Sequence, residues 1–98
     1  MTTAGAVDVL VVGGGAREHA IAWAIAQSPR CGRLFVAPGN DATPGQRVPI
    51  AADDVEALTS FAAETQIDLV IVGPEIALAA GLVDALSAAG IDAFGPTR

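Results

Sequence analysis

At 98 residues the chain has room for one domain and no second core, and at 52% hydrophobic against 16% charged residues it is too apolar to be disordered. The net charge of -6 comes with only five basic residues, Arg17, Arg30, Arg33, Arg47 and Arg98, which are scattered and include no lysine, so the basic stripe of a nucleic-acid binder cannot be built. No apolar stretch reaches the roughly 18 residues of a membrane span, the N-terminus does not read as a signal peptide, and the lone Cys31 excludes an intrachain disulfide or a cysteine metal cluster.

A soluble cytoplasmic protein without membrane or nucleic-acid partners is the default expectation, with Cys31 an ordinary, partly buried thiol in a reducing compartment. In chain order, the β-branched run over residues 7–12 suits a strand buried on both faces. Residues 16–27 are helical and almost wholly apolar, which predicts a covered helix; Ser28 before Pro29 ends it. A second short strand over 33–37 stops at Pro38 and Gly39, and a turn-rich loop follows. Residues 48–50 form a short strand, placed at an edge because Pro49 cannot complete a ladder.

Asp53 or Asp54 caps a helix that runs through Glu64, with Val55, Leu58, Phe61 and Ala62 on one face. Residues 69–72 are another buried strand, ended by Gly73 and Pro74. A third helix over 76–89 is closed by Gly90, and Ala93 and Phe94 make a last short strand. The alternation β-α-β-β-α-β-α-β implies a parallel sheet with helices on its faces. Right-handed crossovers favour the strand order 3-2-1-4-5. The expected class is therefore α/β: a Rossmann-like open parallel sheet of about five strands with helices on both faces.

In that order the sheet reverses direction between the first strand and the fourth, and ligands of open α/β sheets bind beyond the carboxyl ends of strands at such a switch. Three loops converge there: GGGARE after the first strand, PGN after the second and GPE after the fourth. Gly13, Gly14 and Gly15 let a ligand approach the backbone, and the helix behind them offers unpaired N–H groups. A dinucleotide fingerprint would have a glycine where Glu18 stands and an acid about 20 residues on. Both are missing, which argues against NAD. A P-loop needs a lysine, and there is none.

Glu18 has two roles open to it. As a first-turn carboxylate it complements the helix dipole; alternatively it accepts hydrogen bonds from hydroxyls or an amine of a sugar-like ligand. Arg17 pairs with a phosphate or with a surface carboxylate. Glu75 is a second first-turn acid, or else a second carboxylate facing Glu18 across the crevice, an arrangement suited to a polyhydroxylated or amine-bearing ligand. Gly73 and Pro74 are in the first place a strand terminator. Pro38, Gly39 and Asn40 are ordinary turn chemistry, although the Asn40 side chain can also meet a ligand. No third acid is in sight to make the pair a metal site. Trp23 is expected to pack and His19 to take a hydrogen-bonded structural role.

The ordered set G-x-G-x-R-E-H, A-P-G-N, G-P-E and F-G-P-T, within VLVVGGGAREHAIAW, VAPGN and DLVIVGPEIALAAGLVDALSAAGIDAFGPT, resembles the N-terminal domain of the phosphoribosylamine–glycine ligases, also called glycinamide ribonucleotide synthetases. The resemblance covers residues 7–97. It implies a pre-ATP-grasp domain of a purine-biosynthesis enzyme that joins 5-phosphoribosylamine and glycine at the expense of ATP. It further implies that Gly13, Gly14, Gly15, Arg17 and Glu18 line the phosphoribosylamine pocket, completed by Pro38, Gly39, Asn40, Gly73, Pro74 and Glu75. No catalytic or metal-binding residue is carried over. ATP and Mg²⁺ or Mn²⁺ are implied for the full-length enzyme, with none held by this chain.

Three departures from the family pattern matter. Family members usually read Pro-Gly-Asn-Ala-Gly-Thr at the second motif, where this chain has Asp41 and Ala42; a family glycine at positive φ would leave Ala42 strained. Ala77 and Leu78 replace a common Pro-Leu pair. The chain also stops at Arg98, where the family continues into its ATP-grasp and C-terminal domains, so residues 1–98 are expected to be a single N-terminal domain, inactive alone, whose exposed docking face promotes self-association. A stand-alone Rossmann-like module that binds a nucleotide or a protein without catalysis is the alternative expectation.

Overall fold

The computed structural model describes residues 6–39, 43–73 and 79–95. The elements follow as β1 (Val7–Gly13), α1 (Ala16–Ala26), β2 (Cys31–Pro38), β3 (Gln46–Arg47), α2 (Val55–Thr65), β4 (Leu69–Val72), α3 (Ala79–Ala88) and β5 (Asp92–Phe94). All pairings are parallel, and the sheet order is β3-β2-β1-β4-β5, the order expected from right-handed crossovers.

The β1 run is buried on both faces because each face meets a different layer. Leu10 and Val12 point into a cluster with Val70, Val72, Leu58, Ala62, Leu82, Val83 and Leu86, the side on which α2 and α3 pack. Val9 and Val11 point the other way, onto Ala22 of α1 and Val36 of β2. Fully burying a side chain such as Leu10 or Leu58 is worth about 1.5–3 kcal/mol, so the larger cluster holds the sheet together.

Local chemistry sets the boundaries. The Asp54 Oδ1 accepts from the Ala57 N–H at 3.1 Å, capping α2. Gly90 takes φ +80° after α3, and the Ile91 N–H closes the end on the Leu86 carbonyl at 2.9 Å. Helix α2 ends in the same way without a glycine: Gln66 takes φ 60°, and the Ile67 N–H reaches the Ala62 carbonyl at 2.9 Å.

Two expectations need correction. The third strand lies earlier than residues 48–50: Gln46 and Arg47 pair with Phe35 and Val36 at the sheet edge. The Val48 N–H still reaches the Val36 carbonyl at 2.8 Å, but the Ile50 N–H bonds back to Val48 at 2.8 Å, so the chain folds away at Pro49, which has no N–H to offer a ladder. Helix α1 is not a covered helix. It buries Glu18 and Ala22, while Trp23 is 58% exposed rather than packed. The helix is alanine-rich and, among the described residues, has no second helix beside it on its side of the sheet, so much of its apolar surface stays in water.

At the amino end of the sheet, β1 and β2 slip register between Val7 and Val9, so that Gly32 and Arg33 oppose the single residue Asp8. The bulge turns Arg33 onto the buried carboxylate of Asp8, whose side chain is 6% exposed. Asp8 also donates its N–H to Asp68 Oδ2 and accepts from the Asp68 N–H, both at 2.9 Å, which ties β1 to the start of β4.

Candidate functional site

The carboxyl ends of β1, β2, β4 and β5 form one rim. Gly13 ends β1 with φ +138°, Pro38 ends β2 through a cis Ala37–Pro38 peptide, and Gly39 follows at φ +64°. The first two loops are locked together: the Gly39 N–H donates to the Gly13 carbonyl at 3.2 Å. A Cβ on Gly14 would stand 3.2 Å from the Gly39 carbonyl oxygen, so the two backbones approach as closely as glycine allows. Gly73, after β4, is buried. Beyond β5, a Cβ on Gly95 would meet the Val72 carbonyl oxygen at 2.9 Å, which brings the end of β5 against that of β4. Gly14 and Gly15 are exposed, so their backbone faces solvent at the rim.

Glu18 occupies the first-turn role. It is 2% exposed, and its Oε1 accepts from the Gly15 N–H at 3.1 Å. This is the carboxylate half of a capping box, reaching back from the third helical position to the cap. It lies beneath the glycine loop. The physical reason is reach: the side chain is long enough to fold under its own cap, where Gly13 leaves it space. Glu75, Pro74 and Asn40 lie outside the described residues, as do Asp41, Ala42, Ala77 and Leu78.

Arg17 is exposed in the first turn of α1, and the ion pair among the described residues joins Arg33 to Asp8, far from the rim. Arg47 is the rim residue that sequence reasoning missed. Its Nε donates to the Pro38 carbonyl at 3.3 Å, and its stem lies against Gly39, where a Cβ would meet Arg47 Cγ at 3.4 Å. No local signal marks Arg47, because only the pairing of Gln46 and Arg47 with β2 carries it to the second loop. His19 is half-buried, with its backbone N–H on the Gly15 carbonyl at 3.0 Å.

Among the described residues no group of three or more His, Cys, Asp or Glu side chains can hold a metal ion, and no helix is long and apolar enough to cross a membrane. Cys31 is half-buried, and burial, with the nearby Asp8 charge, pushes its thiol pKa up, away from the reactive thiolate. The described rim is thus a backbone-lined edge carrying guanidinium groups.

A family model described as "Phosphoribosylglycinamide synthetase, N domain" matches residues 7–98. Over 96 residues the chain is 56% identical to a phosphoribosylamine–glycine ligase of Salmonella typhimurium, an alignment that takes in 94% of this chain and 22% of that protein. The ligase of Escherichia coli K12 is 54% identical over 95 residues, 93% of this chain and 22% of that protein. The trifunctional purine biosynthetic protein adenosine-3 of Gallus gallus is 50% identical over 93 residues, 91% of this chain and 9% of that protein. The chain therefore spans 22% of the length of the two ligases.

Proposed function

Because the chain belongs to the phosphoribosylglycinamide synthetase N-domain family, we propose that it is the first α/β unit of a phosphoribosylamine–glycine ligase. Its rim then forms one wall of the site for 5-phosphoribosylamine or the product, glycinamide ribonucleotide. The observation that carries this is the lock between the first two loops, with the Gly39 N–H on the Gly13 carbonyl at 3.2 Å at the ends of adjacent strands.

In the reaction so assigned, glycine's carboxylate is activated as an acyl phosphate at the expense of ATP. The amine of phosphoribosylamine attacks it, the C–N bond forms, and phosphate leaves. The part of this chain is to bind and orient. Gly14 and Gly15, exposed at the rim and without side chains, let the sugar come close to the backbone, and Arg17 carries a positive charge for its phosphate. Asn40, Pro74 and Glu75 complete the pocket, with the Glu75 carboxylate reading hydroxyls or the amine. The chain has no lysine to meet the phosphates of a nucleotide. ATP and its metal ion would be held by the larger part of the ligase.

The same proposal makes the exposed aromatics docking surface. Trp23 is 58% exposed and Phe94 is 73% exposed; in the full ligase they are covered by its remaining domains, and in the 98-residue chain they promote self-association. The cytoplasm is the matching compartment.

Amide NMR of this chain with glycinamide ribonucleotide, and with ATP and NAD as controls, tests the site. Shifts at Gly13–Gly15, Arg17 and Gly39 with the ribonucleotide alone support it; equal shifts with NAD oppose it. In the full-length ligase Glu75→Ala is expected to raise KM for phosphoribosylamine, and unchanged kinetics would remove Glu75 from the site.

A further inference from the structure

Glu18 stands where a dinucleotide-binding corner has its third glycine, and its geometry says more than that it caps a helix. The carboxylate is buried at the N-terminus of α1, with Oε1 3.1 Å from the Gly15 nitrogen. The side chain lies flat against Gly13: a Cβ there would come 2.4 Å from Glu18 Cγ, 2.6 Å from Cδ and 2.7 Å from Oε1. Gly13 holds φ +138°, a conformation that side chains rarely adopt, so the residue is a glycine for two separate reasons. Its carbonyl in turn accepts from the Gly39 N–H. One carboxylate thus sets the first loop and, through Gly13, the second.

We propose that Glu18 is the resident anion of its own glycine loop: a positioning residue that fills the helix N-terminus a ligand phosphate would otherwise take, and so sets the specificity of the rim. A helix N-terminus attracts a phosphate through unpaired N–H groups and the positive end of the dipole. Here the Gly15 N–H is already bonded and the dipole is already met by a full negative charge. A pyrophosphate approaching the same corner loses that donor and meets like charge. The ligand phosphate is consequently held by a cation off the loop axis, and Arg17, exposed in the same turn, is a described residue so placed. The seat of Glu18 beneath the loop does not depend on the ribonucleotide, so a failed ribonucleotide titration leaves it standing.

The test is amide NMR on the wild-type chain and on Glu18→Gln, Glu18→Asp and Glu18→Ala, each with and without inorganic phosphate. Glu18→Gln keeps an acceptor at the same reach, so the Gly15 and Gly39 amides are expected to stay near their wild-type positions. Glu18→Asp keeps the charge but falls one methylene short, and both amides are expected to move together while core amides such as Leu58 do not. Phosphate is expected to leave the wild-type Gly15 amide unmoved and to shift it in Glu18→Ala, where the donor is released. Should Glu18→Ala not fold, Glu18→Asp carries the positioning arm and the wild type the phosphate arm. A wild-type Gly15 amide that responds to phosphate overturns the proposal, as do Gly15 and Gly39 amides that stay in place in Glu18→Asp.

Discussion

Arg33 holds Asp8 with three donors: its backbone N–H reaches Oδ1 at 2.7 Å, while Nε and Nη2 reach Oδ2 at 3.1 and 2.9 Å. The same Nη2 donates to the Thr65 carbonyl at 2.7 Å, so the pair also fastens the end of α2. The guanidinium stands 5.5 Å over the Phe35 ring, which in turn meets Phe61 edge-on at 5.4 Å. Such charge-assisted bonds to a buried carboxylate are the strong kind. Removing the charge with Asp8→Asn is expected to destabilise the chain by about 2 kcal/mol. Because the pair lies at the amino end of the sheet, rim amides should keep their positions; urea unfolding and NMR together check both halves.

The same pair predicts acid sensitivity. Its hydrogen bonds to Arg33 hold the Asp8 carboxyl below the ordinary carboxylate value, outweighing the opposing effect of burial. A depressed folded pKa contributes stability that is present above the unfolded value of about 4 and is lost as pH falls through the folded one. Unfolding midpoints measured from neutral to acid pH should therefore fall below about pH 4, and Asp8→Asn should flatten that part of the profile.

Gly13 and Glu18 should couple. Gly13→Ala forces a Cβ into the Glu18 stem and strains φ, which is expected to cost about 3 kcal/mol. Adding Glu18→Ala removes the collision and leaves the strain. The double variant should then lose less than the sum of the single ones, a non-additivity expected of groups in contact. A double-mutant cycle by denaturant unfolding measures it; strict additivity would mean that the side chain is not seated on Gly13.

Trp23 is the one tryptophan of the chain, so its fluorescence reports on a single site. At 58% exposure it should show the red-shifted, iodide-quenched emission of an indole in water. Trp23→Ser should change stability by no more than about 0.5 kcal/mol. It should also weaken any self-association seen by sedimentation. A concentration-independent monomer in the wild type would oppose the docking role given to this face.

Gln66 holds φ 60° at the end of α2, where a glycine is the usual solution. Left-handed backbone costs a residue with a Cβ about 1 kcal/mol, partly offset by the greater freedom of glycine in the unfolded chain. Gln66→Gly is expected to stabilise by about 0.5 kcal/mol net, read as a raised midpoint of thermal unfolding.

The order of elements, the parallel sheet and its 3-2-1-4-5 arrangement were legible in the sequence. So were the Gly90 cap and the acid cap of α2, which the sequence left between Asp53 and Asp54. These features follow from local rules: periodicity reports which backbone hydrogen bonds a segment makes, a cap needs one side chain or one glycine, and crossover handedness comes from strand twist. Even the convergence of Gly13 and Gly39 on one rim follows from strand order alone.

What lies over a given side chain is set by residues distant in sequence, and there the sequence was silent. An alanine-rich α1 has no strong face, so nothing local marks Ala22 as buried and Trp23 as open; only the position of the helix over Val9, Val11 and Val36 decides it. Asp8 interrupts an apolar strand without any hint that Arg33, 25 residues on, will bulge to meet it. Arg47 gains its place beside Pro38 through a two-residue edge strand. Glu18 is the plainest case. Its residue type and position allow a cap, and only the space that Gly13 leaves beneath the loop lets the side chain reach it.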